Sequence, residues 1–251
     1  MKLLIDIGNT RTKWIFSENS SFLSEVKSIF NEDVESSDLA VSATDVTHVL
    51  VANVAGKVME TRLLALLKHC KAAVHFVQSA EFACGVANMY EQPHRLGVDR
   101  WLSLIAAYEL HKTSCLVVNA GTAVTMDALV VSTQDYAGQF IGGVIAPGLH
   151  LMQLVLNTHT AQLPKVQGEF EPFAKNTHDA IHTGCLLAVL GAIQLQWQQL
   201  YDVVKTPPKL CISGGDAEVL FKNLPANLIK HSIIVDNLVL RGLMRLEREM
   251  A

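Results

Sequence analysis

An α/β protein made of two similar halves is the fold class this sequence predicts, and three observations predict it. Leu3-Leu4-Ile5 runs into Asp6, a turn through Gly8-Asn9-Thr10 follows, and Lys13-Trp14-Ile15-Phe16 begins a second run. That is the pattern of a β-hairpin with a carboxylate at the end of its first strand. The pattern recurs from Leu116 to Thr125 as an apolar run, Asn119, one spacer, Gly121, Thr122 and another run, so the chain reads as a duplicated unit. Finally, 251 residues that are 50% hydrophobic and 18% charged have the balance of one large or two small domains around a large buried core.

The elements follow in order. After the first hairpin, residues 22–30 alternate as a third strand, and the polar stretch 31–42 reads as a loop with a short helix. His48 to Ala52 is an apolar strand. Leu63, Leu64, Leu66 and Leu67 then recur at helical spacing within 58–69, ahead of a strand over 73–77. Residues 81–96 carry Cys, Gly, Asn, Pro and His without a period, which predicts an ordered loop. A helix over 101–111 joins the halves, and the plan restarts with strands over 115–119, 125–130 and 139–144. Pro147 fits the start of a helix that runs to about residue 156. The stretch 157–173 is irregular, and Thr177 is the expected N-cap of a long helix ended by Pro207-Pro208. A strand over 210–212, a turn over 213–216, a helix over 217–223, a strand over 232–235 and a helix over 237–249 close the chain.

Composition excludes several classes. A formal charge of -4 with no basic run gives no bulk attraction to nucleic acid or to an anionic membrane. No uninterrupted apolar run approaches the roughly 18 residues of a membrane span, and the short Leu3-Leu4-Ile5 run before Asp6 is too brief for a signal peptide. The five cysteines, Cys70, Cys84, Cys115, Cys185 and Cys211, are widely spaced without a Cys-x-x-Cys pair. They read as reduced thiols packed in the fold, so a cytoplasmic protein acting on small molecules is expected.

The hairpin turns carry the first chemical signal. Gly8 offers backbone freedom, Asn9 tolerates left-handed geometry, and Thr10 and Thr12 add hydroxyls, so backbone N–H groups can converge there on an anion. A carboxylate beside such a loop does not hold a phosphate by itself, and Asp6 therefore points to Mg²⁺ held through water. Asp99, in Leu-Gly-Val-Asp-Arg-Trp just ahead of a helix, is expected to be kept ionised by backbone donors and Arg100. A positioned Asp of this kind can take the proton of an attacking hydroxyl, and Arg100 can hold a carboxylate through two parallel hydrogen bonds.

Other patterns fail on chemistry. Gly56-Lys57 is followed by Val58 where a Walker loop needs Ser or Thr. His178 and His182 have metal-ligand spacing, but neither the zincin Glu nor a third ligand accompanies them. Ser213-Gly214-Gly215 lacks the Gly-x-Ser-x-Gly elbow of a hydrolase.

Five motifs in order, Asp-Ile-Gly-Asn-Thr, Gly-Val-Asp-Arg, Gly-Thr-Ala, Gly-Gly-Val-Ile-Ala-Pro-Gly and Leu-Val-Leu-Arg-Gly-Leu, run along nearly the whole chain. Together they resemble the type III pantothenate kinases of the actin-like, sugar-kinase-like ATPase superfamily. The resemblance implies two ribonuclease H-like halves, residues 1–105 with the first phosphate loop and 106–251 with the second loop and the adenosine region, and an active-site cleft between them. It implies phosphorylation of pantothenate to 4'-phosphopantothenate by ATP and Mg²⁺, the first step of coenzyme A biosynthesis. Asp99 is then the catalytic base. ATP would be held by Asp6, Gly8, Asn9, Thr10, Lys13, Gly121 and Thr122, with Asp6 also organising Mg²⁺. Pantothenate would be held by Tyr90, Gly97, Val98, Arg100 and Thr183. A homodimer whose substrate pocket borrows residues from the second subunit is implied as well. A transcription accessory role, also linked to this family, and an actin-like ATPase are the alternatives. The acidic charge and the absent helix-turn-helix pattern count against the first, and the short chain and the Gly-Val-Asp-Arg motif against the second. One position departs from the family. Asp usually heads the second loop and helps bind a monovalent cation such as K⁺ or NH₄⁺, whereas this chain has Asn119. An amide offers no charge, which predicts a weak or absent cation requirement.

Overall fold

The computed structural model describes residues 1–18, 21–39, 46–132, 137–159 and 168–250. The chain divides into two compact units, residues 1–112 with 132–140 and 237–251, and residues 113–131 with 141–236.

In the first unit, β1 (Lys2–Ile7) and β2 (Arg11–Glu18) form an antiparallel hairpin, and β3 (Ser21–Phe22) and β4 (Lys27–Phe30) both pair with β2. The register moves by two residues where β3 gives way to β4, since Ser17 faces Phe22 while Trp14 faces Lys27. The single strand expected over 22–30 is therefore broken. A shift of two preserves the inward and outward alternation, so the sequence pattern carries no mark of the break. On the other side of β1 lie β5 (His48–Asn53) and β6 (Ala73–Phe76), both parallel, with α1 (Gly56–Leu66) crossing from one to the other. Residues expected as loop over 81–96 contain β7 (Phe82–Ala83) and β8 (Val86–Asn88), too short to show a period. The helix α2 spans Val98–His111 and starts three residues before the expected position. The division expected at 105/106 would thus cut a continuous helix, and the units part at 112/113 instead.

The second unit repeats the plan. β9 (Cys115–Ala120) and β10 (Ala123–Val131) form the second hairpin, and β11 (Gly138–Pro147) lies beside β10, its residues 138–140 pairing with β8 in the first unit's part of the chain. Two helices follow, α3 (Leu149–His159) and α4 (Thr177–Val204). The true N-cap of α4 is Asn176, whose side chain accepts from Asp179 N–H, and Thr177 is the first helical residue. Within the stretch expected to be irregular, 157–159 continue α3, 160–167 lie outside the described residues, and 168–173 are irregular. The short loop helix expected near 31–42 is a 3-10 turn over Asn31–Ser36, and 40–42 also lie outside the described residues. Then come β12 (Lys209–Ser213), α5 (Ala217–Lys222), α6 (Ala226–Ile229) and β13 (Ser232–Ile234), with β12 parallel to β9 and β13 parallel to β12. The orders β4-β2-β1-β5-β6 and β11-β10-β9-β12-β13 match strand for strand, as a duplication requires. The last helix, α7 (Leu238–Met250), belongs to the first unit.

Alternation along β1 decides what each face meets. Leu3, Ile5 and Ile7 pack with Met59 and Leu63 of α1, whereas Leu4 packs with Val98 and Leu102 of α2 and Leu240 and Leu243 of α7. Asp6 shares the Leu4 face, the one that α2 covers. In the second unit, Leu116, Val118 and Ala120 of β9 pack with Leu186, Val189, Leu190 and Ile193 of α4. That helix is long and apolar enough to cross a membrane by length and composition, yet these side chains are spent on the core against the sheet.

Candidate active site

The first unit brings three charged residues together. Asp6 is the penultimate residue of β1 with Lys13 directly across the hairpin, and Asp99 lies in the first turn of α2, on the helix that covers that face. Burial is the largest influence on Asp6 and lifts its carboxyl to about 7; the Lys13 ammonium pulls it down and the Asp99 charge pushes it up. Burial also dominates at Asp99, outweighing the Arg100 N–H, which donates to Asp99 Oδ1 at 2.8 Å, and the Arg100 charge. Its carboxyl is therefore raised, so burial outweighs the backbone donor and the Arg100 charge that the sequence pointed to. Two carboxyls raised by burial, with the Asp99 charge adding to the shift at Asp6, are a donor set that a divalent cation would relieve. Mg²⁺ characteristically takes one or two carboxylates and completes its shell with phosphate and water. No cluster of three or more metal-binding side chains exists among the described residues.

The loop beside Asp6 is closed by Gly8 N–H donating to Arg11 O at 3.0 Å. Neither Gly8 nor Asn9 has a positive φ, so the left-handed geometry expected there is not used. Arg11 turns outward, its guanidinium 4.2 Å from the Phe30 ring centroid and its Nε donating to Ser28 Oγ at 2.8 Å.

Next to Asp99 the substrate candidates fall into two kinds. Gly97 is the N-cap of α2, and a Cβ there would lie 2.7 Å from Asp99 Oδ1, so a side chain would displace the carboxylate. Val98 turns into the core beside Leu4, leaving its backbone alone to face a ligand. Arg100 is buried with its guanidinium 5.9 Å from the Phe140 ring centroid, and the half-exposed Tyr90 stacks on the same ring at 6.1 Å. Phe140 thus joins Arg100 and Tyr90, a role no motif in the sequence marked. Asn88 fixes this loop, its Nδ2 donating to Ala80 O and Pro93 O and its Oδ1 accepting from Tyr90 N–H.

In the second unit, the β9–β10 turn is one residue shorter than the first: 121–123 separate the paired Ala120 and Val124, where 8–11 separate Ile7 and Thr12. Gly121 N–H donates to Ala123 O at 3.1 Å. Gly148 N–H donates to Thr122 O at 2.9 Å, and a Cβ on Gly148 would lie 1.9 Å from Gly121 O, so only glycine permits this approach. From the other side, Asp216 N–H donates to Ala120 O at 3.2 Å. Asn119 is opposite Thr125 in the ladder, and the buried Asp127 follows on the same face. Thr183 is buried on α4, where its Oγ1 accepts Glu171 N–H at 3.0 Å and thereby pins the segment before α4. A cavity of about 950 Å³ opens along α3 and α4, lined by Leu151, Met152, Val155, Ile181, Cys185 and Ala188 among others.

The family model for type III pantothenate kinase matches residues 2–199. A type III pantothenate kinase of Aromatoleum aromaticum is 39% identical over 252 residues, covering 100% of this chain and 99% of that protein. Among solved structures, a Baf family transcriptional activator from Campylobacter jejuni superposes with a TM-score of 0.61 at 22% identity, covering 99% of this chain and 98% of that one. A 2-dehydro-3-deoxygalactonokinase protein from Sinorhizobium meliloti superposes with a TM-score of 0.57 at 13% identity, covering 100% and 99%. Identities this low speak for the fold alone, and the fold is the α/β class of two similar halves that actin-like and sugar-kinase ATPases share.

Proposed function

The chain belongs to the type III pantothenate kinase family, and from that premise we propose how its residues carry the reaction. It is a kinase that transfers a phosphoryl group from ATP to pantothenate, giving 4'-phosphopantothenate for coenzyme A biosynthesis. Asp99 accepts the proton of the attacking primary hydroxyl, and Arg100 holds the pantothenate carboxylate, with Tyr90 and the backbone of Gly97 and Val98 as further contacts in the first unit; Thr183 is the substrate contact assigned to the second unit. Gly8, Asn9, Thr10 and Lys13 are the phosphate contacts of the first unit, and Gly121 and Thr122 are those of the second. Asp6 would hold Mg²⁺, and the ion would supply charge neutralisation at the phosphates.

The observation that carries this reading is placement: Asp6 lies on the face of β1 that α2 covers, and Asp99 stands in the first turn of α2. The test is an ATP- and Mg²⁺-dependent phosphorylation assay with pantothenate beside other primary alcohols. Phosphopantothenate formed in preference to the other products supports the reading. Phosphate release that is indifferent to pantothenate would replace it with a plain ATPase.

The protein acts as a homodimer in the cytoplasm, without nucleic-acid or membrane partners. Support for the dimer comes from Leu151, Leu154, Val155, Leu187 and Leu195, which leave a broad apolar surface exposed on α3 and α4. All five cysteines are free thiols, four of them buried, which suits a reducing compartment. Asn119 in place of a carboxylate favours a reaction that does without K⁺ or NH₄⁺.

A further inference from the structure

Asn31 opens the 3-10 turn after β4 and makes two hydrogen bonds to the first loop and one to Thr12 of β2. Its Nδ2 donates to Gly8 O at 2.8 Å, its Oδ1 accepts from Thr12 Oγ1 at 2.8 Å, and its backbone N–H donates to Thr10 O at 3.0 Å. Both Asn31 and Thr12 are buried, and in such surroundings an amide that satisfies fixed partners on both its ends is a rigid brace. We infer that Asn31 is a positioning residue that shapes this loop into a cradle for the nucleotide phosphates. The inference rests on the kinase reading above and deepens it.

The geometry works through the peptide planes. In a planar trans peptide, the carbonyl of one residue and the N–H of the next point in opposite directions. Drawing Gly8 O and Thr10 O toward Asn31 therefore turns the N–H groups of Asn9 and Arg11 the other way, where a phosphate oxygen can accept them. In a tight hairpin turn, the carbonyl at the first position ordinarily accepts the N–H three residues on. Here the Asn31 amide takes Gly8 O instead. Thr12 orients that amide, because its hydroxyl donates to Oδ1 and so directs Nδ2 to the carbonyl.

The test compares Asn31→Ala, Asn31→Asp and Thr12→Val with the parent protein by direct ATP titration and by steady-state kinetics. Asn31→Ala leaves a loop carbonyl unpaired and should weaken ATP about ten- to a hundredfold, with the KM for pantothenate unchanged within about twofold, a range set by the assay and worth under half a kcal/mol. Thr12→Val, which leaves Nδ2 in place, should cost less than Asn31→Ala. In Asn31→Asp the carboxylate cannot donate to Gly8 O, but the protonated acid can. Its deficit in ATP affinity relative to the parent should shrink as pH falls from about 7 to about 5, toward the carboxyl range. That pH-dependent rescue is a readout that a merely structural role would not move, and it decides the matter if the alanine variant fails to fold. ATP binding by Asn31→Ala at parental affinity, equal weakening of ATP and pantothenate, or a pH-independent deficit in Asn31→Asp would each overturn the inference alone. A parent protein that neither binds ATP nor phosphorylates pantothenate would overturn it together with the kinase reading.

Discussion

A carboxyl lifted to about 7 makes Asp6 a group that folding and catalysis value oppositely. Its folded value lies above the 3.8 of the unfolded chain, so the folded state binds more protons between these limits. Stability contributed by this residue is intact below about pH 4, falls as pH rises, and is at its minimum above about 7. Asp6→Asn should accordingly melt higher than the parent at pH 8, by about 2–4 °C for each kcal/mol relieved. The gain should vanish near pH 4 while kinase activity is lost at every pH. Melting curves at the two pH values check this, and a lower melting temperature for the variant at pH 8 would contradict it. Asn119 gives a second residue-scale prediction. Turnover measured in buffer free of K⁺ and NH₄⁺, then titrated with KCl at fixed ionic strength, should change little, and Asn119→Asp should create a dependence; strong activation of the parent would contradict the reading and turn attention to Asp127 or backbone carbonyls. That Asp6 lies near the end of the first strand and Asp99 at the start of a helix was legible in the sequence because strand and helix signals are local. The direction of the Asp99 shift was not, because burial by α2 and its neighbours is a property of the packed chain. The brace at Asn31 was hidden for the same reason, since nothing marks a partner so distant in sequence.

The two hairpins show what elements contribute beyond their residues. Strand order repeats between the units, and each hairpin ends in a turn closed by its glycine N–H, but the second turn is held by backbone approaches from Gly148 and Asp216, whereas the first is held by the Asn31 side chain. A Cβ at Gly148 has no room beside Gly121 O, so Gly148→Ala must push the second loop or the start of α3 aside. Overpacking of this kind typically costs about 1–3 kcal/mol. We expect both a lower denaturation midpoint and a raised KM for ATP; a variant with parental ATP kinetics would show that the approach does not set the loop. The long elements could be read in advance because their hydrophobic period repeats enough to be recognised, as along α4. Elements of two or three residues such as β7 and β8 could not, because β8 is fixed by pairing with residues 138–140 of β11, far along the chain, and β7 by pairing with β8. The N-cap of α4 was misassigned by one residue, since Asn176 and Thr177 are both good caps and only the hydrogen bond to Asp179 decides.

For the whole molecule, the duplication was legible and its boundary was not. The two units part after α2, and α7 returns from the end of the chain to complete the first unit's core through Leu240 and Leu243. No local feature of the sequence announces that return. Assembly is the next level, and the exposed apolar surface of α3 and α4 predicts a dimer. Light scattering should give twice the chain mass for the parent and a folded monomer for Leu187→Asp with Leu195→Asp; a monomeric parent would contradict it. The central claim is the proposal that Asp99 takes the proton of the pantothenate hydroxyl, with Asp6 as the residue that would hold Mg²⁺. Single-turnover phosphorylation of pantothenate by Asp99→Asn, with ATP binding measured on the same sample, tests this most directly. The account predicts ATP binding close to that of the parent and a rate lower by about 10²–10⁴, the usual worth of a positioned base. A variant that phosphorylates pantothenate at the parental rate would contradict it.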